Sequence, residues 1–445
     1  MSVPSSTWPH PTYAWYVVGV LTVAQTLSFI DRQIVGLLIG PLKEDLILTD
    51  FQVSLLGGPA FALFYTTLGI PIGRLGDRIS RQVIISCGIF FWSFATMACG
   101  LARSFGALFL ARVGVGVGEG ALSPSAYSMI ADYFPPEKLT RPTSFYLSGV
   151  WLGTGLAFII GGAVIDFVAT VKSISIPVFG QLKTWQAVFI AVGAPGLVYP
   201  ILMLTVREPA RRNKLHDAQT NKVSLKAALT FVWANRRTYV PLFASLGLYS
   251  AYGLGMTFWT IEFFVREFDM GRSNVSYIYG VLALVFGTAG SMSAGAIADR
   301  MERRGIADAK VRTALAGIAL MAPFAILFPL MPAMPLAMIG VAGVVFLTPF
   351  PFGPSVAAIQ VVTPNEMRGL VSGIYLFVAI VLGLGVGPPL VAVMTDFVFK
   401  SDDLLPYSMA SVAAILIPIA TLCMWATCRQ FGGTLTQARQ WMEGA

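Results

Sequence analysis

The sequence predicts an all-α membrane protein with twelve transmembrane helices in two pseudo-symmetric six-helix bundles. Three observations lead to this prediction. Only 12% of the 445 residues are charged and 56% are hydrophobic, whereas a soluble domain carries about 25% charged residues. Twelve apolar runs are close to the roughly 20 residues that a membrane-spanning helix needs. One charged motif also occurs once in each half of the chain.

The apolar runs are expected to be helices, because every backbone amide in lipid must find its hydrogen-bond partner within the protein. Their predicted spans are approximately 14–38, 51–72, 83–102, 104–131, 143–168, 185–205, 238–264, 275–297, 311–330, 335–361, 370–397 and 407–428.

The lysines and arginines predict the orientation of these spans. With the N-terminus inside, the inner segments contain 21 of them and the outer loops contain seven. An excess of basic residues marks cytoplasmic loops, so both termini are expected in the cytoplasm. The net charge of +8 is therefore attributed to cytoplasmic loops, and no nucleic-acid partner is expected.

The chain is expected to have three parts. Residues 1–205 form the first six-helix bundle, and residues 238–445 form the second bundle with a short cytoplasmic tail. Residues 206–237 form the one long polar connection, which is a basic cytoplasmic linker. Its basic residues would also attract anionic lipid head groups.

The charged motif is a hairpin that lies between two apolar runs in each half. It reads Gly73–Gln82 in the first half and Gly295–Gly305 in the second. The equivalent positions are Gly73, Asp77, Arg78 and Arg81 in the first copy, and Gly295, Asp299, Arg300 and Arg304 in the second. Two parallel repeats of this kind predict a substrate site at their interface, near the membrane midplane.

These motifs resemble those of the major facilitator superfamily. The Gly73–Gln82 hairpin is similar to its loop 2–3 signature, and the segment from Leu108 to Gly118 is similar to its helix-4 motif. Gly383-x3-Gly387-Pro388 resembles its antiporter motif, from which the fifth span departs with Ala157 and Phe158. The resemblance implies a secondary transporter that uses an ion gradient rather than a cofactor.

Three segments are similar to the Spinster family within that superfamily. They are Phe29–Arg32, Arg74–Arg81, and Arg112–Glu119 followed by Ile130-Ala-Asp132. This resemblance implies a bacterial homologue in the inner membrane. It also implies an amphiphilic anionic lipid, such as a lysophospholipid or sphingosine phosphate, as substrate. A small organic anion moved together with protons is the alternative.

Four ionisable residues fall inside predicted spans, where charge is costly and usually marks a transport pathway. Asp31 and Arg32 lie in the first span, and Arg112 and Glu119 lie in the fourth. Asp31 and Arg112 are expected at similar depth and facing each other, with Glu119 two turns deeper. Asp31 and Glu119 are the predicted proton-coupling residues, and Arg112 and Arg32 the predicted anion-binding residues. A fixed salt bridge that only orients the helices is the alternative.

The hairpin residues Gly73, Asp77, Arg78, Arg81, Asp299, Arg300 and Arg304 are expected to form a cytoplasmic gate. This role is implied mostly by the family resemblance. The alternative is a tight basic loop that fixes the topology.

Other patterns have plainer interpretations. Gly114, Gly116, Gly118 and Gly120 are expected to allow close helix packing, because the chain lacks the strand that a phosphate-binding loop needs. Glu262 and Arg266 are expected to form a local ion pair.

Several function classes are disfavoured. No ring of like charge or filter sequence indicates a channel. No metal-ligand spacing, nucleophile motif or nucleotide loop indicates an enzyme or a metal site. We expect a monomer.

Aromatic residues of the seventh span suggest one further feature. Tyr249, Tyr252, Phe258 and Trp259 could line an apolar tunnel for an acyl chain, although aromatic residues on a membrane helix more often meet packing partners or lipid.

Overall fold

The structure, a computed structural model, describes residues 8–75, 79–135, 138–170, 174–176, 180–209, 224–364 and 367–443. Within these ranges, eleven segments are helical, apolar and long enough to cross a membrane. They match eleven of the twelve predicted spans. The remaining predicted span, the seventh, is the 33-residue helix Arg236–Phe268, which carries more polar residues. The predicted all-helical membrane fold is confirmed.

The first half of the chain contains nine helices and one small hairpin in its described part. They are α1 Pro11–Leu37, α2 Ile39–Leu46, α3 Asp50–Gly57, α4 Pro59–Leu75, α5 Arg81–Gly100, α6 Phe105–Glu119, α7 Leu122–Tyr133, α8 Thr140–Thr170, β1 Ile174–Ile176, β2 Gly180–Leu182 and α9 Thr184–Met203. The two strands pair antiparallel, with Ile174 opposite Leu182.

The second half contains ten α-helices in its described part. They are α10 Leu225–Ala234, α11 Arg236–Phe268, α12 Arg272–Leu282, α13 Thr288–Arg303, α14 Ala309–Leu327, α15 Met334–Leu347, α16 Phe352–Val362, α17 Arg368–Ile380, α18 Gly387–Val393 and α19 Leu405–Glu443. Two 3₁₀ turns lie at Phe328–Leu330 and Asp402–Leu404, and π-helical turns lie at Ala283–Gly287, Val381–Val386 and Met394–Phe399.

The chain forms two compact units. One contains Met1–Leu48 and Ala60–Ala218, and the other contains Thr49–Pro59 and Gln219–Ala445. The short helix α3 therefore packs within the second unit, although it belongs to the first half of the sequence. Gly57 and Gly58 permit this packing, because a Cβ at Gly57 would lie 2.1 Å from the Phe258 ring and one at Gly58 would lie 2.3 Å from the Leu384 carbonyl oxygen.

Several predicted spans are interrupted helices. The second span breaks at Gly58 between α3 and α4, and the fourth breaks at Gly120–Ala121 between α6 and α7. The eighth and eleventh spans each contain π turns, which insert an extra residue and are frequent at functional sites. The first π turn of the eleventh span leads directly into Gly387 and Pro388. Pro388 has no backbone N–H, so it cannot donate a hydrogen bond within the helix.

The glycine run in α6 packs against two neighbouring helices, as predicted. A Cβ at Gly118 would lie 2.7 Å from Trp92 Cβ of α5, and one at Gly116 would lie 2.6 Å from the Phe61 carbonyl oxygen of α4. Gly114 similarly lies close to Ala95 of α5, and Gly120 lies close to Tyr65 of α4. Glycine at alternate positions thus lets α6 approach α5 on one face and α4 on the other.

The α2 segment, the basic linker and the C-terminal tail contain more helix than the sequence indicated. The basic linker includes the apolar helix α10, which buries Ala228 and Val232. Helix α19 continues to Glu443, so the described part of the predicted tail is helical. Length and hydropathy alone identify membrane spans, but they do not register short helices outside the apolar runs.

Candidate functional site

The four ionisable residues predicted inside the spans lie together in the first unit. Asp31 and Arg32 lie on α1, and Arg112 and Glu119 lie on α6. Asp31, Arg112 and Glu119 are buried, and the Arg32 side chain is only 11% exposed. The glycines of α6 carry no side chain toward α4 or α5, so α6 packs closely beside the helices that surround this cluster.

Arg32 and Glu119 form a buried ion pair. Arg32 Nε lies 2.6 Å from Glu119 Oε2, and Ser28 donates a hydrogen bond of 2.5 Å to the same oxygen. Ser28 and Arg32 are four residues apart on α1, so both reach α6 from one helix face. The sequence analysis did not identify Ser28, although its spacing from Arg32 could have indicated this role.

Three aromatic rings surround the Arg32 guanidinium. Its carbon lies 4.7 Å from the centroid of Phe29, 4.8 Å from Phe61 and 4.6 Å from Tyr65. These distances are within the roughly 6 Å range of cation–π attraction. The rings therefore stabilise the positive charge in addition to the carboxylate of Glu119.

Arg112 contacts Asp31 through the main chain. Its Nη1 donates to the Asp31 carbonyl oxygen at 3.2 Å, and its guanidinium carbon lies 5.8 Å from the Phe61 centroid. The positive charge of Arg112 also acts electrostatically on the Asp31 carboxyl. The expected direct pairing of that carboxylate with Arg112 therefore stays a prediction. Adjacent helical residues point about 100° apart, and Arg32 occupies the face toward Glu119.

The Asp31 carboxyl also has neighbours on α5. It lies beside Trp92 and Thr96, and the electrostatic influence of Asp31 also reaches Cys99. In the described part of the chain, Asp31 Oδ1, Trp92 Nε1 and Thr96 Oγ1 are all buried without a hydrogen-bond partner. The sequence analysis did not identify Trp92 or Thr96, because an indole and a hydroxyl in an apolar run give no distinctive signal.

Arg81, a predicted gate residue, joins three segments of the first unit. Its Nη1 lies 2.5 Å from Asp132 Oδ2 at the end of α7, and its Nε lies 2.8 Å from Glu208 Oε1 after α9. Ser128 accepts a third hydrogen bond from Nη1 at 2.7 Å. The sequence motifs included Asp132 without giving it this role, and Glu208 was not singled out.

Glu208 is also held by the start of α5. Its Oε2 accepts hydrogen bonds from the Ser80 hydroxyl at 2.9 Å and from the Gln82 amide at 3.1 Å. Burial alone would raise the pKa of the Glu208 carboxyl, but hydrogen bonds from Arg81, Gln82 and Ser80 outweigh burial and lower this pKa below its usual value.

The structure does not test the other predicted gate residues. Asp77 and Arg78 lie outside the described residues, and Gly73 lies in the last turn of α4. Asp299 and Arg300 in α13, and Arg304 directly after it, are exposed. Their role in a gate therefore stays a prediction.

A second charged network lies in the second unit. Arg266 donates to both oxygens of Asp50, at 2.8 and 2.9 Å, and its Nε lies 2.8 Å from Glu262 Oε1. Arg272 binds the other Glu262 oxygen at 2.7 Å. The predicted local pair of Glu262 and Arg266 is confirmed, but it is part of a larger network that fastens α3 to α11.

The carboxylates of Asp50, Asp396 and Asp402 approach one another closely enough to suggest a metal site. Their ligand oxygens lie within 4.8 Å of one another. However, Asp50 is engaged by Arg266, and Asp396 accepts a hydrogen bond from the Phe51 amide at 2.7 Å. Two of the three carboxylates are therefore already engaged within the protein.

The aromatic residues proposed as a tunnel lining are packed inside the second unit. Tyr249 donates to the Leu347 carbonyl at 2.9 Å, and Trp259 donates to the Pro388 carbonyl at 3.0 Å. All four side chains, Tyr252 and Phe258 included, are buried. These contacts agree with the packing interpretation.

Membrane-spanning helices in two repeated halves, with an acid–base cluster buried among them, define the class of secondary membrane transporters. The chain belongs to the Major Facilitator Superfamily, whose profile matches residues 21–388.

The solved structures with similar folds include a bacterial homologue of the human lysosomal transporter Spinster. In its inward-facing, unoccupied form it is 24% identical, covers 98% of both chains and has a TM-score of 0.75. A D-xylose–proton symporter has the same fold at 16% identity, with a TM-score of 0.70 over 93% of this chain and 97% of that chain.

Among characterised relatives, an MFS-type efflux pump of Mycolicibacterium smegmatis is 26% identical over 96% of both chains. The sphingosine-1-phosphate transporter SPNS2 of Xenopus tropicalis is 33% identical over 36% of this chain and 32% of its own. A probable L-galactonate transporter of Escherichia coli is 22% identical over 70% of this chain and 67% of its own. The resemblance to Spinster proteins is thereby confirmed.

Proposed function

We propose that this transporter couples proton movement to the alternating-access transport of an amphiphilic anion, such as a lysophospholipid or sphingosine phosphate. The observation that supports this proposal best is the buried Arg32–Glu119 pair beside the separate carboxyl of Asp31. Ionisable groups within membrane helices are costly and usually mark a transport pathway.

In this proposal, Glu119 and Asp31 take up and release the transported protons, and Arg32 and Arg112 bind the anion. Arg32 stays charged in every state, and its planar donors suit phosphate or carboxylate oxygens. Protonation of Glu119 removes the negative charge that holds Arg32, so the guanidinium becomes available to an anionic head group. Phe29, Phe61 and Tyr65 stabilise the cation during this change of partner. Arg112 supplies a second positive charge next to Asp31.

The similarity to Spinster proteins and to a sphingosine-1-phosphate transporter supports a lipid-like substrate. A small organic anion is the second candidate, and the similarity to a probable L-galactonate transporter favours it. The lipid-like substrate needs an apolar surface for its acyl chain along the transport path, whereas the small organic anion does not. The cluster on α1 and α6 would serve either anion.

The remaining expectations belong to the same proposal. The transporter would reside in a bacterial inner membrane as a monomer, with both termini in the cytoplasm, and a proton gradient rather than a cofactor would drive it. The excess of basic residues in the predicted inner segments supports this orientation. The repeated hairpin, including Asp77 and Asp299, would close the cytoplasmic end, and Asp77→Asn should increase cytoplasmic access to an introduced cysteine.

The test is transport by the purified protein in proteoliposomes under an imposed pH gradient. Lysophosphatidylglycerol and galactonate serve as the two probes. Glu119→Gln and Asp31→Asn should abolish gradient-driven uptake while leaving substrate exchange partly intact. Glu302→Gln is the matched control, because that carboxylate is exposed and pairs with Lys310 at 2.7 Å. Wild-type pH dependence in both cluster variants would refute proton coupling.

Arg112→Ala tests the anion-binding role separately. Binding of the transported probe, measured by calorimetric titration in micelles, should be lost in this variant. Undiminished binding would remove Arg112 from the proposed site. Uptake of galactonate without uptake of the lysolipid would select the second candidate substrate.

A further inference from the structure

We infer that Trp92 and Thr96 of α5 form a neutral hydrogen-bonding cradle for the Asp31 carboxyl and set the pH at which it takes up its proton. The inference rests on the proposed function, because it assigns the proton-binding carboxyl two positioning residues on a third helix. Four observations support it. They are an indole N–H without a hydrogen-bond partner, a threonine hydroxyl that does not bond to its own helix, the location of the charged neighbours, and the packing that fixes α5 beside α6.

The first observation concerns the three largest fully buried tryptophans of the described chain. Trp185 donates its indole N–H to Asp45 at 2.9 Å, and Trp259 donates to the Pro388 carbonyl at 3.0 Å. Trp92 is equally buried, but its Nε1 has no hydrogen-bond partner in the described part of the chain. A buried donor left unsatisfied is costly, so such an atom requires an explanation. The acceptor beside it is the Asp31 carboxyl.

The second observation concerns Thr96. Nine other buried threonines donate their hydroxyl to the carbonyl four residues earlier in the chain: Thr22, Thr66, Thr154, Thr260, Thr313, Thr363, Thr395, Thr427 and Thr434. This local bond is the usual solution for a threonine inside a helix. Thr96 is fully buried but makes no such bond. Its hydroxyl lies beside Asp31 instead.

The third observation is that the charged neighbours of Asp31, Glu119 and Arg112, both lie on α6 and not on α5. Glu119 of α6 is paired with Arg32, and Arg112 of α6 donates to the Asp31 main chain. Cys99 lies one turn beyond Thr96 on α5 and is buried. The hydrogen-bonding groups next to the Asp31 carboxyl on α5 are therefore the two neutral ones.

The fourth observation is that close packing fixes the position of the cradle. Any side chain at Gly118 of α6 would place its Cβ 2.7 Å from Trp92 Cβ and 2.8 Å from the Trp92 amide nitrogen. Glycine at this position lets α6 lie against the backbone of α5 at Trp92. The indole is therefore held at the same level as the charged cluster.

The two groups differ in chemistry, and the difference makes them sensitive to protonation. An indole N–H only donates, so it stabilises the ionised carboxylate. A threonine hydroxyl both donates and accepts, so it can receive the proton of a neutral carboxyl or donate to the ionised form. Loss of either donor destabilises the ionised form of Asp31.

Infrared difference spectroscopy of the reconstituted full-length protein provides the test. Titration with pH follows the carbonyl stretch of protonated carboxyl groups, and the component lost in Asp31→Asn is assigned to Asp31. We expect Trp92→Phe and Thr96→Val each to move the midpoint of this component upward by about one pH unit, because each removes a hydrogen bond to the ionised form. Thr96→Ser retains the hydroxyl and should restore the wild-type midpoint.

Matched variants control for general disturbance of the helices. Trp185→Phe removes an indole bonded to Asp45, and Thr22→Val removes a hydroxyl bonded within α1. Neither should move the midpoint. An unchanged midpoint in Thr96→Val, or an equal shift in the control variants, would overturn the inference. An Asp31 component that titrates normally while Asp31→Asn retains wild-type proton-driven uptake would overturn the proposed function instead.

Discussion

A double-mutant cycle on Arg32 and Glu119 tests the central feature of the site. Removing one partner of a buried ion pair lowers the free energy of unfolding by about 3–5 kcal/mol, because an uncompensated charge stays in the interior. We expect Arg32→Gln to fall in this range, since it leaves the Glu119 carboxylate with the Ser28 hydroxyl as its remaining bond. We expect Glu119→Gln to cost about 2–3 kcal/mol, because an amide oxygen still accepts a hydrogen bond and each ring near Arg32 contributes about 0.5–1 kcal/mol.

The double variant contains no charge at either position, so it should lose less stability than the two single variants together. The expected coupling free energy is about 2–3 kcal/mol, near the upper end of the range for contacting residues. The assay is denaturant-induced unfolding of the purified protein in detergent micelles, followed by fluorescence. Additive effects to within about 0.5 kcal/mol would show that the two side chains do not interact, and would refute the reasoning.

Three further predictions concern the packing and the other charged networks. Gly116→Val should destabilise the protein by several kcal/mol, because the new Cβ would overlap the backbone of α4. Gly106→Val on the same helix should be nearly neutral, because no atom lies within 4 Å of a Cβ at that position. Equal thermal stability of the two variants would contradict the packing. Glu208 has a lowered pKa in the folded state, so its stabilising contribution is complete above the unfolded pKa and is lost as pH falls through the folded pKa. Glu208→Gln should therefore flatten the acid limb of a stability–pH profile, and an unchanged limb would argue against the junction. Asp50→Asn should leave one oxygen to accept from Arg266 and raise the rate of protease cleavage next to α3, while wild-type cleavage would indicate that the ion pair does not fasten this helix.

The sequence predicted the spans well because their signal, length and apolar content, is local. It did not predict the break at Gly58 or the π turns, because these depend on which carbonyl each amide reaches. The pattern of apolar residues is the same whether an amide bonds to the carbonyl four or five residues earlier. Two of the missed helical regions, α2 and α10, are only 8 and 10 residues long, below the length that identifies a span.

The sequence predicted that the four ionisable residues would cluster, but it did not predict the ion pair between Arg32 and Glu119. Costly charges inside apolar runs identified Asp31, Arg32, Arg112 and Glu119. Depth along the helices was also informative, since it placed α1 and α6 residues together. Rotation about the helix axis was not determined by sequence, because Asp31 and Arg32 are adjacent and either could face α6. The neutral residues of α5 were missed for a related reason, since tryptophan and threonine in a span are common as packing residues.

The aromatic enclosure around Arg32 has a consequence for which cation position 32 accepts. A flat, delocalised guanidinium can lie against several ring faces and still direct an N–H toward a carboxylate. A lysine ammonium is compact and more strongly hydrated, so transfer into the same enclosure would sacrifice water contacts that the rings do not replace. Formal charge is therefore an insufficient description of this position. An Arg32→Lys exchange, conservative by charge, would be a severe change here.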